Sequence, residues 1–348
     1  MRMVKLVLTW ILSLSFLWPA SVKPYEHNGL LLDCARKYYS IEWIEQLIDH
    51  LARNNGNELI LHFSENEGCR IESEQYPWLT DRMNGVYSQE EIIRLGQYAR
   101  KRGIELIPSF DAPGHLQYVL AQYKEQYGES IAMDCSEKCL DISNEKGVAF
   151  IRSLYEEYGK LFLKAGSTQF DLGGDEVFPD HVWKKAGSWQ TMIEKKKHDD
   201  RLSAYDAFVD FINENNNFMK SLGYTSCRMF NDQLRKGHIP LDTDIDIAYW
   251  TIKGDLPANN KVLNYLNFYL YYILDPDLSY MGGDPGSIER EWTPVFFLNK
   301  KIDESRISGS AYCIWSDIPD TQTEQEVMQG VLPNLEAWGH KCTTRNKN

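Results

Sequence analysis

The chain has 348 residues, 43% of them hydrophobic and 25% charged, with no low-complexity tract, so a large folded core is expected and a disordered chain is excluded. Its net charge of -13 argues against a nucleic-acid partner, because the one basic cluster, Lys195 to Lys197, is followed at once by Asp199 and Asp200. A neutral ligand fits better, and the 10 Trp and 20 Tyr suit sugar rings, although most large aromatics simply fill cores.

At the amino terminus, MRMVKLVLTWILSLSFLWPASVKP sets Arg2 and Lys5 before an apolar run from Leu6 to Trp18, then small residues at Ala20 and Ser21. This is the pattern of a signal peptide over residues 1–23, and it implies a secreted, cell-surface or periplasmic protein. An uncleaved anchor is the alternative, and only in that case would the chain touch a membrane. The seven cysteines are odd in number and sparse, so at least one stays free. Cys135 and Cys139 read either as a local bridge or as a stray metal-like spacing, and without a second Cys or His pair no zinc site is expected.

From Gly29 onward, short apolar runs alternate with amphipathic stretches. Strands are predicted at 29–34, 58–63, 104–110, 168–172, 227–230, 246–250, 267–273 and 310–315. Helices are predicted at 40–54, 88–103, 144–166, 201–222 and 324–338, the second opening on Ser88 with Glu91 three residues on and closing at Gly103. Strands separated by crossover helices predict one α/β domain over residues 28–342, a closed (β/α)8 TIM barrel, with a doubly wound open sheet as the runner-up. No glycine-rich nucleotide loop follows the first strand. The longest connections, 64–87, 111–143 and 173–200, each follow a strand, the side on which barrels build their active faces.

Chemistry-bearing residues fall repeatedly at those strand ends: Asp33 and Arg36, Asp111 and His115, Asp175 and Glu176, Asn231 and Asp232, Trp250, Tyr271, and Trp315 with Asp317. One acid at a strand end is more often a cap or a solvated charge, but a barrel would bring all of these to one mouth. In FDLGGDEVF (170–178), Gly173 and Gly174 free the backbone to present two adjacent carboxylates together where strand alternation would separate them.

FDLGGDE resembles the H-x-G-G-D-E signature of the family 20 glycoside hydrolases, the β-N-acetylhexosaminidases. LLDCARKYYS (31–40), IPSFDAPGH (107–115) and CIWSD (313–317) are similar to further segments of that family in the same order. The similarity covers about residues 29–340, and FNDQL, AYW and LYYIL resemble in particular its branch of streptococcal surface exo-β-N-acetylglucosaminidases.

The resemblance implies a retaining hydrolase acting on oligosaccharides or glycoconjugates with a terminal N-acetylhexosamine, in which the substrate's own acetamido oxygen is the nucleophile. By that likeness Glu176 is the general acid and base, Asp175 holds the acetamido N–H, and Tyr271 donates to the acetamido oxygen. Arg36, Trp250, Trp315, Asp317, Asn231 and Asp232 would bind substrate, with Asp111, His115 and Asp171 behind the catalytic pair. Repulsion between the adjacent acids is expected to keep Glu176 protonated while Asp175 stays ionised. No metal or cofactor is implied, and no separate amino-terminal domain is expected. Two departures stand out: the signature histidine is Asp171, and the glutamate of the I-P-E segment is Ser109. A lacto-N-biosidase of the same family and a sugar-binding barrel without turnover are the alternatives.

Overall fold

The computed structural model describes residues 25–178, 183–278, 280–298 and 300–343, so the signal-like segment lies outside the described residues. Eight parallel strands form a ring. His27–Asp33 pairs with Glu58–Glu65 on one side and with Ile307–Trp315 on the other. Glu105–Phe110, Gln169–Asp171, Ser226–Phe230, Ile245–Tyr249 and Val262–Asn264 complete the circuit between them. The sheet therefore has no open edge, and the doubly wound alternative is overturned.

The helices lie outside the ring for the reason their sequences suggest. Ile41–Arg53 opens on Ser40, whose hydroxyl accepts the Trp43 N–H, and it buries Trp43, Ile44, Leu47, Ile48 and Leu51 on one stripe. Gln89–Arg100 carries the expected capping box between Ser88 and Glu91. No helix among the described residues is long and apolar enough to cross a membrane.

Two expectations are corrected. The predicted seventh strand, 267–273, is instead a strand at Val262–Asn264, a helical turn at Asn267–Leu270, and a short strand at Tyr271–Ile273 paired only with the last strand. Asn264 causes the break: its amide donates to the Pro294 and Phe296 carbonyls while its oxygen accepts the Leu266 N–H, which turns the chain out of the ladder. Cys135 and Cys139 form no bridge; all seven cysteines are free thiols, and the Cys139 thiol donates to the Leu140 carbonyl at 3.4 Å.

Inside the ring the side chains lie in layers. At the amino ends of the strands, Arg228 meets Glu58 at 3.0 Å and Gln169 at 2.5 Å, and also donates to the Tyr265 hydroxyl at 3.0 Å. Leu31, Ile60, Ile107, Phe230, Ala248, Leu263, Ala311 and Cys313 plug the middle. The residues singled out in the sequence lie at the other, carboxyl ends of the strands.

The bottom ion pair makes a pH prediction. Burial alone would raise the Glu58 pKa, but Arg228 and then His27 outweigh it and bring it from 4.5 down to about 2. Because the folded value is depressed, the stabilisation is complete above pH 4.5 and is lost as pH falls toward 2. That shift corresponds to roughly 3 kcal/mol. Melting curves of wild type and Glu58→Gln should converge across this acid window, with the variant less stable above it; parallel curves at every pH would contradict the assignment.

Candidate active site

After the fourth strand the chain makes a left-handed turn, with φ of 67° at Gly173, 81° at Gly174 and 43° at Glu176. A Cβ on Gly173 would sit 2.1 Å from the Asp111 carboxyl carbon, so space and torsion both require glycine there. Glu176 is a non-glycine residue in a sparsely populated region, held by its N–H donating to Asp232 Oδ2 at 3.0 Å. His115, facing it, is strained in the same way at φ 53°. The turn sets the Asp175 carboxyl into the barrel mouth, 13% exposed, while the Glu176 carboxyl beside it is 61% exposed.

A pocket of about 100 Å³ gathers Arg36, Asp111, His115, Asp175, Glu176, Trp250, Tyr271, Trp315 and Asp317. The Trp250 and Tyr271 rings are near parallel, with centroids 6.2 Å apart, and Trp315 leans on Tyr271 at 5.8 Å. Asp317 stands exposed at the rim. Asp232 lines an adjoining groove and accepts from the Trp250 indole at 3.1 Å as well as from Glu176, so it fixes a wall and the catalytic turn together. Asn231, expected to bind substrate, is corrected: it is fully buried, its oxygen accepts the Trp250 N–H, and its amide donates to the Thr251 and Lys253 carbonyls. Its polar atoms are committed to backbone.

The expected coupling of charges is also corrected. Burial first, and then Asp111, push Asp175 well above the ordinary carboxylate range, so its partner in repulsion is Asp111. Burial likewise pushes Asp111 well above the ordinary carboxylate range, and its Oδ1 accepts the Gly174 N–H at 2.8 Å. Burial opposes charge on His115, but Glu65, then Asp175, overcome it and lift the pKa to about 10. His115 Nε2 lies 3.7 Å from both Asp175 and Glu176, while its Nδ1 is paired with Glu65.

Asp111, His115 and Asp175 offer ligand atoms within 4.8 Å of one another, a spacing that would suit a cation. A protonated imidazole has no lone pair to give, however, and His115 itself supplies the positive charge. Glu65 then continues the chain to Arg36 at 2.7 Å, whose other nitrogens meet Asp33 at 2.8 Å and Glu67 at 3.1 Å. Any ligand hydroxyl that reaches this fork must share it or displace Glu67, whose carboxyl is 57% exposed. Sequence reasoning missed Glu65 and Glu67; the available signal was that they follow the second strand as the other site acids follow theirs.

The two departures from the family pattern meet in space. Ser109 and Asp171 are in register on neighbouring strands, and the Ser109 hydroxyl is hydrogen-bonded to His62 Nδ1 at 3.0 Å. Burial lifts Asp171 to about 6, and its Oδ1 accepts the Gly173 N–H at 3.0 Å. Asp171 thus braces the first glycine of the catalytic turn. Burial lowers His62 to about 4, which leaves it neutral near pH 7.

Residues 25–339 match the model of the glycosyl hydrolase family 20 catalytic domain. Beta-hexosaminidase subunit A2 of Dictyostelium discoideum is 29% identical over 254 residues, which cover 71% of this chain and 45% of that protein. Lacto-N-biosidase of Bifidobacterium bifidum is 24% identical over 325 residues, covering 90% of this chain and 28% of that one. The chain therefore spans less than half the length of these curated relatives. A catalytic module of the pneumococcal exo-β-D-N-acetylglucosaminidase shares the fold, with a TM-score of 0.75 at 20% identity, covering 93% of this chain and 84% of that one. The match of residues 25–339 to the family model shows that the chain belongs to glycosyl hydrolase family 20.

Proposed function

We propose that the protein is an exported, retaining exo-β-N-acetylhexosaminidase that releases a terminal β-linked N-acetylglucosamine or N-acetylgalactosamine from glycans through an oxazolinium intermediate. The observation that carries this reading is the presentation of Asp175 and Glu176 side by side in a small pocket walled by Trp250, Tyr271 and Trp315. Export rests on the amino-terminal pattern alone; a protein recovered only from the cytoplasmic fraction would contradict it.

In this mechanism Glu176 protonates the glycosidic oxygen as the bond to the anomeric carbon breaks, and the acetamido oxygen attacks that carbon from the opposite face. Glu176 then takes a proton from the water that opens the ring, which returns the original configuration. Asp175 accepts from the acetamido N–H, and Tyr271 donates to the acetamido oxygen. The raised proton affinity of Asp175 has a use in this scheme. A carboxylate held uneasily in the empty site is relieved when positive charge develops on the acetamido group, so the interaction strengthens toward the transition state. Holding the internal nucleophile in place contributes up to roughly 7–11 kcal/mol, more than the general acid supplies.

Hydrolysis of aryl glycosides tests the assignment directly. Glu176→Gln should lose about 10²- to 10⁴-fold in kcat on an aryl N-acetyl-β-glucosaminide. The matching 2-hydroxy glucoside should be turned over very poorly by wild type. Equal activity in the variant would remove Glu176 from its role. Equal turnover of the 2-hydroxy substrate would defeat the acetamido mechanism, and sugar binding without hydrolysis would favour a binding barrel.

A further inference from the structure

Outside the sugar pocket a groove of about 930 Å³ begins at His115, Glu176, Asp232 and Trp250 and runs outward across the barrel mouth. A leaving group attached to the bond that Glu176 protonates must lie along it. The chain as a whole is strongly acidic, with 50 acids against 37 bases, yet the outer wall of this groove is built from Lys138, Arg235, Lys253 and Lys300. Apart from Glu176 and Asp232, which belong to the catalytic turn, Asp255 is the one carboxylate among its described lining residues.

These cations are anchored by backbone or ring contacts. Lys300 donates to the Gly254 carbonyl at 2.6 Å, and the Arg235 guanidinium lies 4.8 Å from the Trp183 ring centroid. Lys138 is on a hairpin of Ala132–Met133 and Ser136–Leu140, and its carbonyl accepts the Leu116 N–H. Lys253 is fixed through its own carbonyl, which accepts the Asn231 amide. Both of these lysines are exposed, and neither is ion-paired with a carboxylate among the described residues. The charges of Lys138 and Lys253 beside a groove in an acidic protein raise the local concentration of anions there.

We propose that the leaving-group side of this site accepts an anionic aglycone, a glycan residue carrying a carboxylate or a sulfate ester next to the terminal N-acetylhexosamine. The inference rests on the hydrolase reading above and adds the substrate class. It assigns Lys138 and Lys253 to specificity, with no part in bond breaking.

The test compares kcat/KM on three β-N-acetylglucosaminides that share an aryl leaving group, one neutral, one bearing a carboxylate and one bearing a sulfate ester, at low and high salt. Wild type should prefer at least one anionic substrate at low salt, and added salt should erase the preference. Lys138→Gln and Lys253→Gln should each reduce it by roughly two- to fivefold while leaving the neutral substrate unchanged. The ratio of carboxylate to sulfate identifies which anion the groove takes. Equal rates on neutral and anionic substrates, or a preference that survives the double variant, would overturn the proposal while leaving the hydrolase intact. Failure to hydrolyse any of the three would instead sink the parent reading.

Discussion

Adjacent side chains on an extended strand point to opposite faces, and a site built from Asp175 and Glu176 depends on defeating that alternation. The left-handed conformations at Gly173, Gly174 and Glu176 do so. They are costly for Glu176, and the surrounding structure holds them from several sides: Asp171 takes the Gly173 N–H, Asp111 the Gly174 N–H, and Asp232 the Glu176 N–H. Three carboxyl groups from three different strand ends are therefore spent on one turn of backbone. The third-strand end closes from the other side so tightly that a Cβ on Gly114 would lie 2.9 Å from the Asp175 carbonyl.

The same crowding of acids creates the electrostatic problem the site must solve. Asp111 and Asp175 cannot both ionise easily at such depth, and the imidazolium of His115 sits beside Asp175 and Glu176 as the internal counter-charge. Glu65 keeps that imidazole charged and links it to Arg36, so the guanidinium fork and the acids of the turn are electrically connected through two side chains.

Much of this was legible in the sequence. Seven of the eight strand runs, the barrel, and the convergence of Arg36, Asp111, His115, Asp175, Glu176, Trp250, Tyr271, Trp315 and Asp317 could be read because nearly all of these residues lie at or just beyond the end of a short apolar run. The illegible parts share a cause. Val262–Asn264 is too short to show a pattern, and the side-chain bonds of Asn264 that break the ladder are tertiary. Asn231 looks like a ligand-binding group in sequence and serves as a clamp because its carboxamide matches the two ends of a neighbouring loop. The exchange of a family histidine for Asp171 and of a glutamate for Ser109 is two unrelated departures on paper. They lie in register on adjacent strands, with His62 hydrogen-bonded to Ser109.

The most direct measurement is a crystal structure of the complex with a bicyclic sugar thiazoline, which copies the closed acetamide ring. Its ring nitrogen should lie about 3 Å from the Asp175 carboxylate, with Glu176 over the anomeric carbon on the side facing the groove. A thiazoline bound with its nitrogen turned away from Asp175, or outside the walls of Trp250, Tyr271 and Trp315, would contradict the account.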